Sequence, residues 1–388
     1  MYPARRTGEL FFTGGTAMII KNAQVFTEDA VFVQKDILIE DGVFTEQAGG
    51  QTIDAAGCYA IPGLVDIHFH GCVGYDFCDG THEAITAIAR YQAKNGVTAI
   101  CPATMTLPEP MLETVCRAAA SWKPGPDCAA LVGINMEGPF VSLEKCGAQN
   151  PAYIHAPDAD MFRRLQQASG GLIRLLAVAP ETDGALDMIR ALDGEVLCSI
   201  AHTTAGYDLA AEAIAAGARH ITHLYNAMPP LSHRAPGVIG AASDAQDCEA
   251  ELIADGVHIH PSAVRAAFRL FGNGGRIILI SDSMMATGLS DGDYSLGGQA
   301  VKVVGNRATL ESGTIAGSAT NLMDCMRTAV RDMHIPLETA VKCATANPAR
   351  SIGVYDRHGS IAPGKAANVV LLDDKLEIQS IVLNGAVL

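Results

Sequence analysis

The sequence predicts an α/β fold, a (β/α)8 TIM-like barrel with a small β-sandwich domain built from both chain termini. Along the middle of the chain, eight apolar, β-rich runs alternate with helical segments, a pattern typical of βα units around a parallel sheet. At both ends, short apolar segments are broken by turn signals such as Asp41-Gly42, which is typical of β-hairpins. A doubly wound open sheet is the alternative that the pattern alone leaves open.

The predicted barrel occupies residues 61–354, and the small domain combines residues 18–60 with 355–388. Neither chain end is long enough to bury a good core alone, so the two ends are expected to combine. A Gly-rich stretch from Asp291 to Gly317 predicts a hairpin inserted after the last barrel strand. The predicted barrel strands are 64–70, 97–104, 132–137, 173–180, 196–203, 221–226, 250–255 and 277–282.

The charge and cysteine content exclude several classes of protein. The chain carries 27 Lys and Arg against 42 Asp and Glu, whereas nucleic acids and anionic membranes bind basic faces. Its 11 cysteines include no CxxC pair, so we expect free thiols rather than disulfides or a zinc ribbon. Residues 1–17 lack the apolar core of a signal peptide and look additional to the fold. The sequence therefore predicts a cytoplasmic protein without a nucleic-acid or membrane partner.

Two histidines lie near the carboxyl end of the first predicted barrel strand. His68 and His70 share one face of that strand with Asp66, because side chains alternate along a strand. Barrel enzymes build their sites at the rim where strand carboxyl ends meet, so these side chains are expected to face a site. A surface strand with two incidental histidines is the alternative.

Three further metal-ligand types end later strands, namely Glu137, His202 and His223. A buried glutamate is costly unless it is paired or bound to a cation. The alternative for Glu137 is a carboxylate at the rim that forms a salt bridge to Lys145 or caps a helix. Each histidine alone is more often a hydrogen-bonded core residue than a ligand. Together the three side chains supply the nitrogen and oxygen donors of a catalytic zinc site that leaves one position open.

Asp282 ends the last predicted barrel strand. Beside a divalent cation its ionised form is favoured, so it could take a proton from water and later deliver it to a leaving group. The alternative is a helix N-cap, a position that aspartate often occupies. Asp255, at the end of the seventh strand, is interpreted as a loop anchor rather than a base.

At these residues the sequence resembles the amidohydrolase superfamily and, within it, the family of N-acetylglucosamine-6-phosphate deacetylases. The resemblance extends from about Met18 to Leu388. It is carried by PGLVDIHFHG (62–71), MEGPF (136–140), AHTTA (201–205), THLYNAMPPLSHRAPG (222–237), ADGVHIHP (254–261), SDSMMATG (281–288) and the segment Ile315–Ser318. The phrase after His223 is more specific to these deacetylases than the HxH pair.

The resemblance implies a metal-dependent hydrolase, usually a homodimer, with Asp282 as its catalytic acid and base. Glu137, His202 and His223 would bind the main divalent ion, for which Zn²⁺ is favoured and Fe²⁺ is the alternative. His68 and His70 would allow a second ion, so one or two ions per subunit are expected. Arg234 matches an arginine that reaches the substrate phosphate across the dimer interface. The other substrate-contacting positions implied are Ala148, Gln149, Asn226, Ala227, His258, Ile315, Ala316 and Gly317.

The implied reaction is hydrolysis of the N-acetyl group of N-acetyl-D-glucosamine 6-phosphate, which yields D-glucosamine 6-phosphate and acetate. The chain departs from the family pattern at Gln149, where these enzymes commonly have a histidine, because glutamine donates a hydrogen bond but cannot become cationic. A preference for the N-acetylgalactosamine 6-phosphate epimer therefore stays open. Another amidohydrolase, such as a D-aminoacylase or a dihydroorotase, and a non-catalytic scaffold of the same fold are the remaining alternatives.

Overall fold

The structure, a computed structural model, describes residues 17–388. The expectation that residues 1–17 are additional to the fold falls, except for Ala17, outside the described residues. The chain begins with strands β1 (Met18–Phe26), β2 (Phe32–Glu40), β3 (Val43–Phe44), β4 (Gln51–Asp54) and β5 (Tyr59–Pro62).

The middle of the chain alternates strands with helices, as expected. Its first part contains β6 (Leu64–Asp66), β7 (Gly71–Cys72), β8 (Tyr75–Asp76), α1 (His82–Lys94), β9 (Val97–Ile100), α2 (Glu109–Ser121), β10 (Ala130–Leu131) and β11 (Ile134–Met136). It continues with α3 (Ala159–Ala168), β12 (Ile173–Val178), α4 (Ala185–Leu192), β13 (Leu197–Ile200), α5 (Tyr207–Ala216), β14 (His220–Ile221), α6 (Gly237–Asp244), β15 (Glu249–Ile253), α7 (Pro261–Leu270) and β16 (Ile277–Ile280). Short 3₁₀ helices lie at Phe77–Asp79 and Pro151–Tyr153.

The last part of the chain returns to antiparallel strands before and after three helices. It contains β17 (Gly292–Leu296), β18 (Gln299–Val304), β19 (Arg307–Leu310), β20 (Ile315–Ser318), α8 (Leu322–Arg331), α9 (Leu337–Ala344), α10 (Ala346–Ser351), β21 (Val369–Leu372), β22 (Ile378–Leu383) and β23 (Ala386–Val387). Strands β17 to β20 form one antiparallel sheet of four strands. The expected hairpin is therefore wrong in extent, because the Gly-rich stretch contains several tight turns, not one.

Strands from both chain ends form one mixed sheet in the order β23-β22-β21-β5-β1-β2-β3, with β4 also paired to β1. Strand β1 changes partner along its length. Residues Met18 to Lys21 pair with β4, whereas Gln24 and Val25 pair with β5. Between them Asn22 has φ 65°, a left-handed conformation that asparagine tolerates. Because β1 bends there, hydrogen bonds join all eight strands in one sheet over a shared apolar core.

The remaining long strands are parallel. Strands β11 to β16 form a six-stranded sheet in chain order, and β6, β9 and β10 form a three-stranded parallel sheet. A doubly wound sheet would reverse its strand order, so that alternative is wrong. The two sheets meet on both sides: a bridge joins Ala103 to Asn135, and the Asp282 amide donates to the His68 carbonyl at 2.9 Å.

The two faces of β6 differ as the alternation predicted. Val65 and Ile67 are buried in an apolar cluster that includes Ile352, which follows α10. On the opposite face, the Ser281 hydroxyl donates to Asp66 at 2.5 Å. Burial raises the pKa of the Asp66 carboxyl to about 7, and the hydrogen bond from Ser281 opposes that rise. The face of β6 that carries Asp66 is therefore a buried polar layer below the strand ends.

Within residues 17–388, no helix combines the length and the apolar character needed to cross a membrane. All 11 cysteines are free thiols, and eight of them are buried. The expectation of free thiols is confirmed, since each cysteine of the sequence lies in the described part of the chain.

The guanidinium of Arg276, just before β16, holds the chain segments at the amino-terminal end of the parallel sheet. Its nitrogens lie 2.7–3.4 Å from the carbonyl oxygens of Ala242, Ser243, Ala245, Cys248 and Leu270. It also lies 4.8 Å from the centre of the Phe271 ring. One side chain thus satisfies carbonyl groups that no strand or helix pairs.

We predict that Arg276→Met lowers the free energy of unfolding by about 2–4 kcal/mol, because partly buried carbonyls lose their donors. Urea denaturation measures the change. Arg269→Met, at an exposed position of α7, is the matched control and should change stability by less than about 0.5 kcal/mol. Equal stability of the two variants would contradict the role of Arg276.

Candidate active site

Six side chains converge at the carboxyl ends of the parallel strands. They follow β6, β11, β13, β14 and β16, and all of them are buried, with exposed fractions between 0% and 8%. They are His68, His70, Glu137, His202, His223 and Asp282. The structure therefore brings together every side chain that the sequence analysis expected at the cation cluster.

The first half of this cluster is formed by Glu137, His202 and His223. Glu137 Oε1 lies 3.1 Å from Nε2 of each histidine, and the two Nε2 atoms are 3.2 Å apart. Tetrahedral Zn²⁺ with bonds of about 2.0–2.1 Å would hold its donor atoms about 3.3 Å apart. The three donor atoms thus already have the mutual spacing of ligands around one small cation.

The second half is formed by His68, His70 and Asp282. Asp282 Oδ1 lies 3.3 Å from His70 Nε2 and 3.8 Å from His68 Nε2. Glu137 belongs to both halves, because its Oε2 lies 3.3 Å from His70 Nε2 while Oε1 faces the other two histidines. One carboxylate therefore connects two candidate cation sites.

The protonation preferences of the cluster fit cation binding. Burial opposes ionisation of Glu137, but the charge of His68 and hydrogen bonds from His202 and His223 hold its pKa well below the ordinary value. Burial also opposes ionisation of Asp282, and the hydrogen bond from His70 lowers its pKa nonetheless. Both shifts favour the ionised carboxylate, which is the form that binds a divalent cation.

The backbone is strained where it presents these groups. His202, His223 and Asp282 have φ values of 43°, 29° and 49°, a region that residues other than glycine rarely adopt. Hydrogen bonds hold two of these turns: the Asp282 amide donates to the His68 carbonyl, and the His202 carbonyl accepts from the Ser142 amide at 2.9 Å. The strain turns each side chain from the strand end into the cluster.

Steric crowding beside Asp282 explains why position 317 is a glycine. Gly317 has φ 65°, and a Cβ atom there would lie 3.0 Å from the Asp282 carbonyl oxygen. The neighbouring Ser318 amide donates to that carbonyl at 2.7 Å. The segment Ile315–Gly317 therefore runs directly beside Asp282, where the sequence analysis expected a substrate contact.

Gln149 is buried and both ends of its amide are used within the protein. Its Oε1 accepts from the Thr106 backbone amide at 2.6 Å, and its Nε2 donates to Glu137 Oε2 at 2.7 Å. The Thr106 N–H can only donate, so it fixes which end of the amide is oxygen. Gln149 thus restrains the shared carboxylate, and its second N–H stays available as a donor.

Two other expected substrate-contacting residues lie close to the cluster. His258 Nδ1 lies 2.7 Å from Asp255 Oδ2, and the other Asp255 oxygen accepts from two backbone amides of the same loop. The interpretation of Asp255 as a loop anchor is confirmed. The Asn226 side chain donates to the His223 carbonyl at 3.2 Å, which stiffens the turn after this histidine.

Three further residues were predicted to contact the substrate. Two of them accept hydrogen bonds through their backbone carbonyls, and the third is an exposed arginine. Ala227 has φ 50°, and its carbonyl accepts from the Thr203 amide at 3.0 Å. The Ala148 carbonyl accepts from the Gln299 amide group of β18 at 2.6 Å. Arg234 is exposed and forms no ion pair with any residue in 17–388.

Sequence reasoning missed Glu251, a fully buried residue of β15. Its Oε2 lies 2.7 Å from His68 Nδ1 and accepts from the His223 backbone amide at 3.1 Å. An acidic residue inside the apolar strand Glu249–Ile253 was the available signal. Side-chain alternation places Glu251 on the same face of the strand as Glu249. It does not identify the residue that Glu251 contacts, because that contact depends on how distant strands align.

The amidohydrolase family matches residues 59–388, which is well over half of the chain. An N-acetylglucosamine-6-phosphate deacetylase of Bacillus subtilis (strain 168) is 36% identical over 382 residues, covering 95% of this chain and 96% of that protein. An N-acetylgalactosamine-6-phosphate deacetylase of Escherichia coli O157:H7 is 32% identical over 371 residues, covering 95% and 98% of the two chains.

The fold is also similar to solved structures. A mutant N-acetyl-D-glucosamine-6-phosphate deacetylase from Mycobacterium smegmatis, in complex with N-acetyl-D-glucosamine-6-phosphate, superposes with a TM-score of 0.88 at 31% identity, covering 96% of this chain and 99% of that one. The similarity in sequence and the similarity in fold to these deacetylases both extend along nearly the whole chain. The chain belongs to the amidohydrolase family.

Proposed function

We propose that this protein hydrolyses the N-acetyl group of N-acetyl-D-glucosamine 6-phosphate, releasing acetate and D-glucosamine 6-phosphate. The relatives described above act, by their names, on N-acetyl amino-sugar 6-phosphates. The observation that carries the proposal is the shared Glu137 carboxylate, which faces donor nitrogens of both cluster halves. A cation held by this carboxylate and these nitrogens would polarise the amide carbonyl beside an acid–base group.

We propose that the parallel strands close into a (β/α)8 barrel over residues 61–354, with the mixed sheet as a small β-sandwich-like domain from 18–60 and 355–388. The hydrogen bond from Asp282 to His68 and the bridge from Ala103 to Asn135 support closure. Closure explains why strand ends from distant parts of the chain meet at one rim.

The donor set supports a divalent metal cofactor, with Zn²⁺ favoured and Fe²⁺ as the alternative. His68 Nε2 is buried and has no hydrogen-bond partner among the described residues, as expected of a nitrogen that binds a cation. We propose one ion at Glu137, His202 and His223 and a second at His68 and His70, beside Asp282. When bound, such a cation polarises an amide carbonyl and lowers the pKa of a nearby water toward about 7.

Asp282 is the proposed acid and base of the reaction. Its ionised carboxylate takes a proton from the attacking water, whose oxygen forms the new bond to the acetyl carbon. The same proton then passes from Asp282 to the amine nitrogen as the carbon–nitrogen bond breaks, so the amine leaves as a neutral group. Asp282 Oδ1 lies 3.3 Å from His70 Nε2, so the carboxylate lies beside the proposed second ion.

Substrate binding is assigned to the residues around this centre. His258, oriented by Asp255, and the turn at Asn226 and Ala227 would hold the sugar, while Ile315, Ala316 and Gly317 line the side next to Asp282. Ala148 and Gln149 lie in the loop after β11, and the second N–H of Gln149 would face the acetyl oxygen. Because Gln149 is neutral, the N-acetylgalactosamine 6-phosphate epimer is the second candidate substrate.

We propose a homodimer in which Arg234 binds the substrate phosphate of the neighbouring subunit. Its exposed position, without an ion pair in residues 17–388, supports a role outside its own chain. A planar guanidinium suits a phosphate because it can donate two parallel hydrogen bonds. A cytoplasmic location stays a prediction of the sequence.

Metal content tests the cation assignment. After loading with excess Zn²⁺ and desalting, wild-type protein should hold two ions per chain by elemental analysis and His68→Asn should hold one. His223→Asn should lose the ion at Glu137. His82→Asn, at an exposed position of α1, is the control and should match wild type. Wild-type metal content in His223→Asn would contradict the assignment.

Acetate release tests the reaction and the role of Asp282. Metal-loaded wild-type protein should release acetate from N-acetyl-D-glucosamine 6-phosphate, and Asp282→Asn should lower kcat by about 10²–10⁴-fold while the ion at Glu137 is retained. Asp293→Asn, an exposed position of β17, serves as the control with unchanged kcat.

The same assay on the galactosamine epimer separates the two substrate candidates. A higher kcat/KM on that epimer would favour the second candidate. No acetate from either sugar phosphate would contradict the proposed function, and near-normal turnover in Asp282→Asn would remove Asp282 from the mechanism.

A further inference from the structure

We propose that Glu251 is a positioning residue that orients His68 and thereby sets the affinity of the second cation site. The inference rests on the proposed function, because it assumes the cation cluster. It adds a residue that lies outside the six-residue cluster and that does not itself face the cation positions.

Glu251, which lies within strand β15, contacts residues of both halves of the cluster. Its Oε2 lies 2.7 Å from the His68 side chain, which belongs to the second half, and accepts from the backbone amide of His223, which belongs to the first. The Glu251 carbonyl also accepts from the Leu224 amide at 2.8 Å. A single residue of β15 therefore connects the strand that carries the HxH pair to the turn that carries His223.

The contact decides which nitrogen of His68 faces the cations. An ionised carboxylate only accepts hydrogen bonds, so His68 Nδ1 carries a proton toward Glu251. Nε2 is therefore the nitrogen that would give its lone pair to a cation, once the cation displaces any proton there. His68 Nε2 lies there 3.5 Å from Glu137 Oε1. A carboxylate behind a histidine ligand fixes its tautomer and ring orientation and raises its basicity.

The other histidines of the cluster lack an equivalent carboxylate. His202 Nδ1 lies 2.9 Å from the Lys145 carbonyl, which is a neutral acceptor. His70 Nδ1 and His223 Nδ1 are buried and have no hydrogen-bond partner among the described residues. Removing the charge at position 251 should therefore act on the ion bound through His68 more than on the ion bound through His202.

The cost of burying Glu251 also favours a role beyond packing. It is 0% exposed, and its ion-pair partners within residues 17–388 are His68 and His220 alone, with no lysine or arginine. Its second oxygen, Oε1, has no hydrogen-bond partner in the described part of the chain. Apolar side chains usually stabilise such positions as well or better, so a buried carboxylate there is explained by what it orients.

The test compares Glu251→Gln with wild type in metal titrations of the whole protein. Metal-free protein is titrated with Zn²⁺ against a competing chelator, which gives one dissociation constant for each ion. Glu251→Gln should weaken binding of the ion that His68→Asn removes by about 10–100-fold, the range found for residues behind metal ligands, and change binding of the other ion by less than about threefold. Excess Zn²⁺ should restore its turnover.

Glu249→Gln is the matched control. Glu249 lies on the same strand and the same strand face, but its side chain has no contact with a cluster histidine among the described bonds and ion pairs. Both dissociation constants should equal those of wild type. In the His68→Asn background, Glu251→Gln should have no further effect on the remaining ion, because the group it positions is gone.

Each outcome bears on a separate claim. A wild-type chain that binds no Zn²⁺ would contradict the cation centre itself. Wild-type binding of both ions by Glu251→Gln would overturn the positioning role alone, and so would an equal loss of both ions that excess Zn²⁺ does not restore. Should Glu251→Gln fail to fold, Glu251→Asp, which keeps the charge but shortens the side chain, must weaken the same ion.

Discussion

The Glu137 carboxylate is buried among four imidazoles, and the rest of the site depends on how that charge is balanced. A negative charge away from water is costly unless an opposite charge lies beside it. In this protein protons on the histidines can supply that charge, and so can a cation placed between the same atoms. The donor atoms are 3.1–3.5 Å apart, a separation that a small ion can bridge.

The fold supplies this arrangement through its strand order. Parallel strands that follow each other in chain order bring their carboxyl ends to one edge, so residues far apart in the chain meet there. Short-range geometry then directs the side chains. His202, His223 and Asp282 adopt positive φ angles, and hydrogen bonds to other segments hold His202 and Asp282 in place. Backbone strain at three functional positions is offset by the packing of the surrounding strands.

Much of the architecture could be predicted from the sequence because its signals are local. The alternation around His68 and His70, the acid after β11 and the histidines after β13 and β14 are visible in short windows. The sequence predicted a two-stranded hairpin where the structure has the four-stranded sheet β17 to β20. The number of strands was too low because each extra turn in the Gly-rich stretch adds a strand.

Contacts between distant strands were beyond the reach of the sequence. Glu251 and His68 are separated by 183 positions, and no local pattern pairs them. Gln149 was expected only as a substrate contact, whereas its amide also restrains Glu137, because the loop from Glu137 to Gln149 folds back on itself. Such pairings are decided by strand register and loop closure, which only coordinates supply.

The most direct test of the cation-centred account is anomalous X-ray diffraction from crystals of the metal-loaded protein, measured on both sides of the absorption edge of the metal. The account predicts a peak within about 2.3 Å of Glu137 Oε1 and of Nε2 of His202 and His223. A loaded and active protein whose anomalous peaks all lie away from Glu137 would contradict it.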